Sequence, residues 1–349
     1  MDERGQLSAP GRLEAGVAVV PEAPRLPDQP LADLAAQHGL RLSGARPPLP
    51  RYLAVLWQRR HFIWGYATAR SVSMYTEARL GQLWQVLTPL LNAGVYYLIF
   101  GLLFQAARGV HNYPAFLVAG VFVFAFTERS IVTGSNVMRA NLQLIRALYF
   151  PRASLPLAYV LVELQQMLVG MIVLFAIMLV SGEPLTWYWF LLVPVIALQT
   201  AFNVGAALIV ARLGGAMADV SELIPFILRI TRYFCGVMYM VTTLPAKVPE
   251  WGIKLLSLNP PAVFISLVRV ALMRSYRQNA PGNQPYSARL CSLFHHPPAG
   301  TSPVPHLQAY CQAVVTNSDL WLAALGWGIG FFVIGIVFFW QAESKYGRG

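Results

Sequence analysis

Six long apolar segments run through this chain of 349 residues, and they constrain it to a bundle of helices in a membrane. Residues 86–104, 187–211 and 320–340 contain no Asp, Glu, Lys or Arg. Each is long enough to cross a hydrocarbon core of about 30 Å at a rise of about 1.5 Å per residue. The other three segments carry charge. Residues 115–137 hold Glu128 and Arg129, residues 155–180 hold Glu163, and residues 223–244 hold Arg229 and Arg232. A charge in hydrocarbon is costly, so these helices must turn a face toward protein, water or a passing solute. The expected fold is an all-α membrane protein with six transmembrane helices bundled around a pathway. With 56% hydrophobic and only 12% charged residues, an ordinary soluble domain is excluded.

Basic residues fix the expected orientation. Ten Arg precede residue 82, and the connection between the second and third segments holds Arg139, Arg146 and Arg152 without an acidic residue. Both belong on the cytoplasmic side, with both chain termini. Residues 245–319 would then lie outside. They also carry basic residues, but long loops are largely exempt from the rule. The net charge of +11 reflects topology and contact with anionic lipid rather than nucleic-acid binding. In the outer segment, the apolar stretch 244–273 is broken by Pro249, Pro260 and Pro261, which suggests two short re-entrant helices before the last span. Cys291 and Cys311 follow in a polar, Pro-rich stretch on the oxidising side, where a disulfide is favoured over two unpaired thiols. Cys235, inside a span, reads as a small apolar packer.

Residues 51–80 are expected to supply a cytoplasmic interfacial amphipathic helix and gate. Leu53, Leu56, Trp57, Trp64 and Ala67 fall near one stripe over 51–70, with Arg59 and His61 off it. A packed cytoplasmic helix without lipid contact is the alternative. Residues 1–50 are rich in Pro, Ala and charge, without the apolar core of a cleavable signal peptide, and read as a partly mobile cytoplasmic extension.

Three motifs then carry a resemblance. Tyr75-Thr76-Glu77-Ala78-Arg79-Leu80-Gly81-Gln82-Leu83-Trp84, continuing to Pro89, resembles the approach to the first membrane helix of ABC exporter permeases of the polysaccharide type. Asn141-Leu142 through Phe150-Pro151-Arg152 and Leu155-Pro156 is similar to that family's cytoplasmic coupling segment. Leu258-Asn259-Pro260, followed by Arg269, resembles its outer region. The motifs occur in the family's order over residues 51–349. One departure is Ser73-Met74, where the family usually has a basic residue before the Tyr. Within the family the chain most resembles permeases that export lipid-linked galactan of the mycobacterial cell wall. Relatives handling O-antigen, capsule or teichoic acid share the same motifs.

The resemblance implies two copies of the permease with two copies of an ATP-binding subunit, which holds the ATP and Mg. It also implies a polyprenyl-diphosphate-linked glycan as substrate, moved through a path walled by aromatic rings in the cytoplasmic membrane. Tyr96, Tyr97, Phe100, Phe104, Tyr233, Phe234 and Tyr239 are the candidate path residues, alongside packing roles against lipid or neighbouring helices. Arg229 and Arg232 either meet Glu128 or Glu163, or face a wet path where the diphosphate passes. Arg59, Arg60, Arg70 and Arg79 are the other candidates for contact with the diphosphate or lipid head. Asn141, Leu144, Arg146, Leu148 and Arg152 are the candidates for coupling to the ATPase. Pro151 and Pro156 would let that element move as a separate unit on two joints.

Catalytic readings find no support, and no catalytic or metal-binding residue is assigned. There is no Gly-x-x-x-x-Gly-Lys-Ser/Thr loop, so this chain takes no nucleotide cofactor. His295, His296 and His306 lack zinc-type spacing. A membrane glycosyltransferase or acyltransferase is the alternative from another class, and export of a small hydrophobic molecule is the alternative within transport.

Overall fold

The computed structural model describes residues 48–74, 81, 83–103, 112–147, 150–239, 250–274, 276 and 317–343. The chain divides into two units, Met1–Ala45 and Arg46–Gly349, and all described residues lie in the second. The expected N-terminal extension, up to residue 47, and the Cys291–Cys311 bond fall outside the described residues, while residues 49 and 50 already belong to the first helix.

Every regular element among the described residues is helical. Helices α1 (Leu49–Gln58) and α2 (Arg60–Ser73) precede α3 (Leu83–Tyr96), which widens into a π-helical stretch over Tyr97–Leu103. Then follow α4 (Tyr113–Ala140), the short α5 (Leu142–Ala147) and α6 (Ser154–Val180). A 3₁₀ turn, Trp187–Leu191, opens α7 (Leu192–Ala216), and α8 (Ala218–Phe234) comes next. The last elements are α9 (Glu250–Leu258), α10 (Pro260–Leu272) and α11 (Asn317–Gln341). Five of these helical segments are long and apolar enough to cross a membrane, at Val86–Leu103, Tyr113–Ala140, Ser154–Val180, Trp187–Ala216 and Ser318–Gln341.

The segment expected to span over 223–244 departs from that reading. Helix α8 starts earlier, at Ala218, and stops at Phe234. Gly236 has φ +68°, a left-handed conformation that ends helices and that a glycine adopts without strain. Val237 and Met238 then turn back into the core. Hydropathy runs on past this point, which is why the stop signal was outweighed in the sequence. Residues 240–249 lie outside the described residues.

Small residues let the central helices approach closely. Helix α7 packs along α11, and Gly205 faces the backbone of Phe331 and Phe332 while Gly335 faces Gly205 itself. A Cβ on Gly328 would stand 2.9 Å from the Leu198 carbonyl oxygen. In a membrane, where lipid competes equally for apolar side chains, such backbone-close contacts supply much of the attraction between helices. Helix α4 is the central element. It packs against α6, α7, α8 and α10, and most of its residues are buried.

The expected single helix over 51–70 is two helices that meet at Arg59. The buried stripe is Tyr52, Leu56, Ile63 and Ala67, while Trp57 and Trp64 lie exposed on the neighbouring stripe. Leu56 and Ala67 of the expected stripe are thus buried, while its Leu53, Trp57 and Trp64 are exposed. Tyr52 anchors this region. Its hydroxyl donates to Glu343 Oε2 at 3.0 Å, and the Arg152 N–H donates to Glu343 Oε1 at 3.0 Å. The Arg152 guanidinium also donates to the Glu343 carbonyl. Burial pushes the Glu343 carboxyl up from the usual carboxylate range, against the hydrogen bonds from Arg152 and Tyr52 that hold it down. Burial, then the neighbouring carboxylate, push the Tyr52 hydroxyl up, so it remains a donor.

Candidate functional site

The charges inside the bundle converge between α3, α4 and α8. Glu128 lies in the middle of α4 and Arg232 in the last turn of α8, and the two form an ion pair. Arg232 also donates to the Tyr96 hydroxyl at 2.7 Å, and its guanidinium lies 5.3 Å from the Phe124 ring centroid. Of the two alternatives left open by the sequence, Arg232 takes the pairing with Glu128. The pair borders a cavity of about 150 Å³ whose wall includes Thr88, Asn92, Tyr96, Glu128, Arg129 and Arg232. Its lining mixes these polar groups with apolar and aromatic ones such as Val121 and Phe124, between the membrane-length helices α3 and α4 and the shorter α8. Charged side chains are costly to place among membrane helices unless they are paired or wetted.

Removing one charge should reveal the pairing. Glu128→Gln leaves Arg232 uncompensated, at a cost of about 3–5 kcal/mol for a buried pair and less here because both side chains are about one-fifth exposed. Thermal unfolding of the detergent-solubilised chain should show Glu128→Gln less stable than the double variant Glu128→Gln with Arg232→Met. Equal or reversed stabilities would remove the pairing from the account.

The other expected path residues divide by exposure. Tyr97 packs inward with its ring 6.2 Å from that of Tyr113, and Phe100 packs against the same core. Tyr239 donates from its hydroxyl to the Tyr233 carbonyl at 2.9 Å. Arg229, Tyr233 and Phe234 lie on the exposed face of α8. Phe104 is outside the described residues. Among the head-group candidates, Arg59, Arg60 and Arg70 are exposed, Arg60 standing over the Trp57 ring and Arg70 over Tyr159, while Arg79 is outside the described residues.

Asn141 and Arg152, at either end of the coupling segment, are both held by hydrogen bonds. Asn141 donates to the Val137 carbonyl at 2.8 Å and to the Tyr159 hydroxyl at 3.2 Å, and accepts from the Tyr66 hydroxyl at 3.3 Å. This ties the start of α5 to both α2 and α6. At the other end Arg152 is bound to Glu343. Leu144 is half-buried against the chain's own core, so the large apolar residue that α5 leaves exposed is Leu142, on one face with Arg146. Leu148 is outside the described residues. Helix α6 itself starts at Ser154, so Pro156 lies in its first turn.

Two arginines have places in the bundle that the sequence reading did not assign. Arg269 figured only as part of a motif. In the structure it is 2% exposed, and it donates to the carbonyls of Phe116, Gly236 and Val237 at 2.7–3.1 Å. Its guanidinium also stacks 3.3 Å from the Phe116 ring centroid. It thereby fastens α10 to the start of α4 and to the turn after α8. Arg129, adjacent to Glu128, faces the cavity wall from another angle, and residue spacing alone did not show which way it pointed.

Residues 64–273, from α2 to the end of α10, match the protein family described as ABC-2 type transporter. The chain belongs to that family. Two relatives, both O-antigen export system permease protein RfbA of Klebsiella pneumoniae, are 30% and 29% identical over 194 residues, covering 55% of this chain and 72% of each relative. This ABC-2 chain is therefore a multi-pass membrane protein of transport type, and its charged cavity sits within the part it shares with the family.

Proposed function

We propose that this chain is the permease subunit of an ATP-driven exporter that moves a polyprenyl-diphosphate-linked polysaccharide, galactan of the cell wall, across the cytoplasmic membrane. Two copies assemble with two copies of an ATP-binding subunit, and both chain termini face the cytoplasm. Helix α8, with the segment that turns back after it, serves as a sixth crossing element, and α9 and α10 dip into the outer boundary. The observation that carries this reading is the intramembrane cluster of Arg232, Glu128 and Tyr96 beside the exposed aromatic face of Tyr233 and Phe234. It sets a charged and hydroxyl-bearing cavity wall beside ring surfaces over which sugars can slide without one fixed hydrogen-bond geometry. The similarity to permeases named for O-antigen export supports a glycan as cargo.

Hydrolysis of ATP belongs to the partner. Helix α5 is the element that would rest in the ATPase, through exposed Leu142 and Arg146. Leu142→Asp with Arg146→Asp should sharply reduce co-purification of the ATPase while membrane insertion persists; normal assembly and export would remove α5 from the interface. For the function itself, depletion of the chain in its own cells should make lipid-linked glycan accumulate on the cytoplasmic side. Unchanged glycan levels and distribution would overturn the reading.

A further inference from the structure

Glu163 stands roughly 14 Å along α6 from its first residue, inside a membrane-length segment. The side chain is 5% exposed, and its Oε2 has no hydrogen-bond partner among the described residues. An ionised carboxylate in such a place is costly unless a donor or an opposite charge reaches it. Both lie close by. A cavity of about 20 Å³ between α3, α4 and α6 is lined by Glu163 and Gln166 from α6, Arg129 from α4 and Pro89 from α3. That space holds about one water, which can donate to Glu163 Oε2 and accept from a guanidinium N–H.

Arg129 is fixed on one side. It donates to Gln166 Oε1 at 3.1 Å, and the Gln166 amide nitrogen donates to Met74 Sδ at 3.8 Å, which keeps the amide oxygen turned to Arg129. A guanidinium carries five N–H donors, so others remain for a bridging water. Arg129 also belongs to the wall of the 150 Å³ cavity, as do Pro89 and Ala125. The larger space has room for several waters, and Thr88 and Asn92 on its wall are exposed on α3, so water has a way to the small cavity. Among the described residues, Arg129 is the one charged side chain besides Glu163 that lines the small cavity. The other charged and titratable groups on the helices packed against α6 are turned elsewhere. Glu128 and Tyr96 meet Arg232, the Tyr66 hydroxyl donates to Asn141, Arg70 stands over the Tyr159 ring, and Arg212 donates to the Phe338 carbonyl.

We propose that Glu163 is a reversible proton site inside the bundle, reached through a single water in the small cavity and linked by that water to Arg129. The proton comes from water in the larger cavity, passes to the one in the small cavity, and forms an O–H bond at Oε2. In the ionised state the bridging water joins Glu163 to Arg129, and the two charges balance. Protonation leaves Arg129 held by Gln166 alone. Its charge then counts toward the wall of the larger cavity, where Arg232 and Glu128 already balance each other. Acidification thus makes that wall more positive by one charge without moving a helix. The site is independent of the permease reading, and neither falls with the other.

The test is infrared difference spectroscopy of the full-length chain in dodecyl maltoside, a detergent without a carbonyl, comparing acid with alkaline buffer in light and heavy water. The parent chain should show a carboxyl C=O band in acid that is missing from Glu163→Gln and kept in Glu128→Gln. Heavy water should shift that band, because a proton that arrives through water exchanges. Arg129→Gln removes the cation that favours the ionised form, so its band should persist into buffer about 1–3 pH units more alkaline, and Arg129→Lys should move it less. Arg51→Gln on α1 should not move it. A Glu163→Gln spectrum identical to that of the parent overturns the proton site, as does a band that heavy water leaves unchanged. A midpoint unmoved in Arg129→Gln overturns the link to Arg129. Should Glu163→Gln fail to elute as the parent does, Glu163→Asp takes its place; the band should then be displaced, and an unaltered band overturns the site.

Discussion

Gly205→Leu should leave the chain without a stable fold. At this position α7 and α11 are so close that even a Cβ would overlap the Phe331 backbone, and Gly335 presses from the opposite helix onto Gly205. A backbone obstacle cannot swing aside as a side-chain tip can, so the helices must separate along their length. Separation forfeits the close packing that holds helices together in lipid. Fluorescence-detected size exclusion after solubilisation should show loss of the monodisperse peak, with Gly205→Ala intermediate between it and the parent chain. A Gly205→Leu variant that elutes and melts like the parent would show that α7 and α11 do not pack in this register.

Arg269→Leu should be nearly as severe. It removes four hydrogen bonds and leaves three buried carbonyls, those of Phe116, Gly236 and Val237, without that donor. Each buried acceptor left unsatisfied costs roughly 1–3 kcal/mol, and a native fold has only about 5–15 kcal/mol to lose. Gly120→Ala probes the same clamp from the other side, because a Cβ there would overlap the Arg269 guanidinium. Both variants should lower the thermal transition, Arg269→Leu by more. Parent-like melting of Arg269→Leu would mean that the turn after α8 is held by something else.

Much of this architecture could be read from residues alone, for a simple reason. Runs such as 187–211 and 320–340 lack any charge, and a backbone in lipid has few options besides a helix. The break between the short helices on either side of Asn259-Pro260 was equally visible, since proline marks it. What sequence could not resolve was direction. Glu128 and Arg129 are neighbours but point about 100° apart on a helix. Only the packing of α6 and α8 around α4 shows that one meets Arg232 and the other Gln166. Long-range partners were invisible for the same reason: nothing in Tyr52, Arg152 or Glu343 announces that they share one hydrogen-bonded cluster. The end of α8 was lost differently, because one glycine had to be weighed against a continuing apolar run.

The cluster of Tyr52, Arg152 and Glu343 makes the first and last described helices report on each other. A displacement of Arg152, just before α6, is shared through Glu343 with the end of α11. Under the coupling role proposed for α5, a tag or fusion placed just beyond Glu343 acts on the region that α5 leads into rather than on an inert tail.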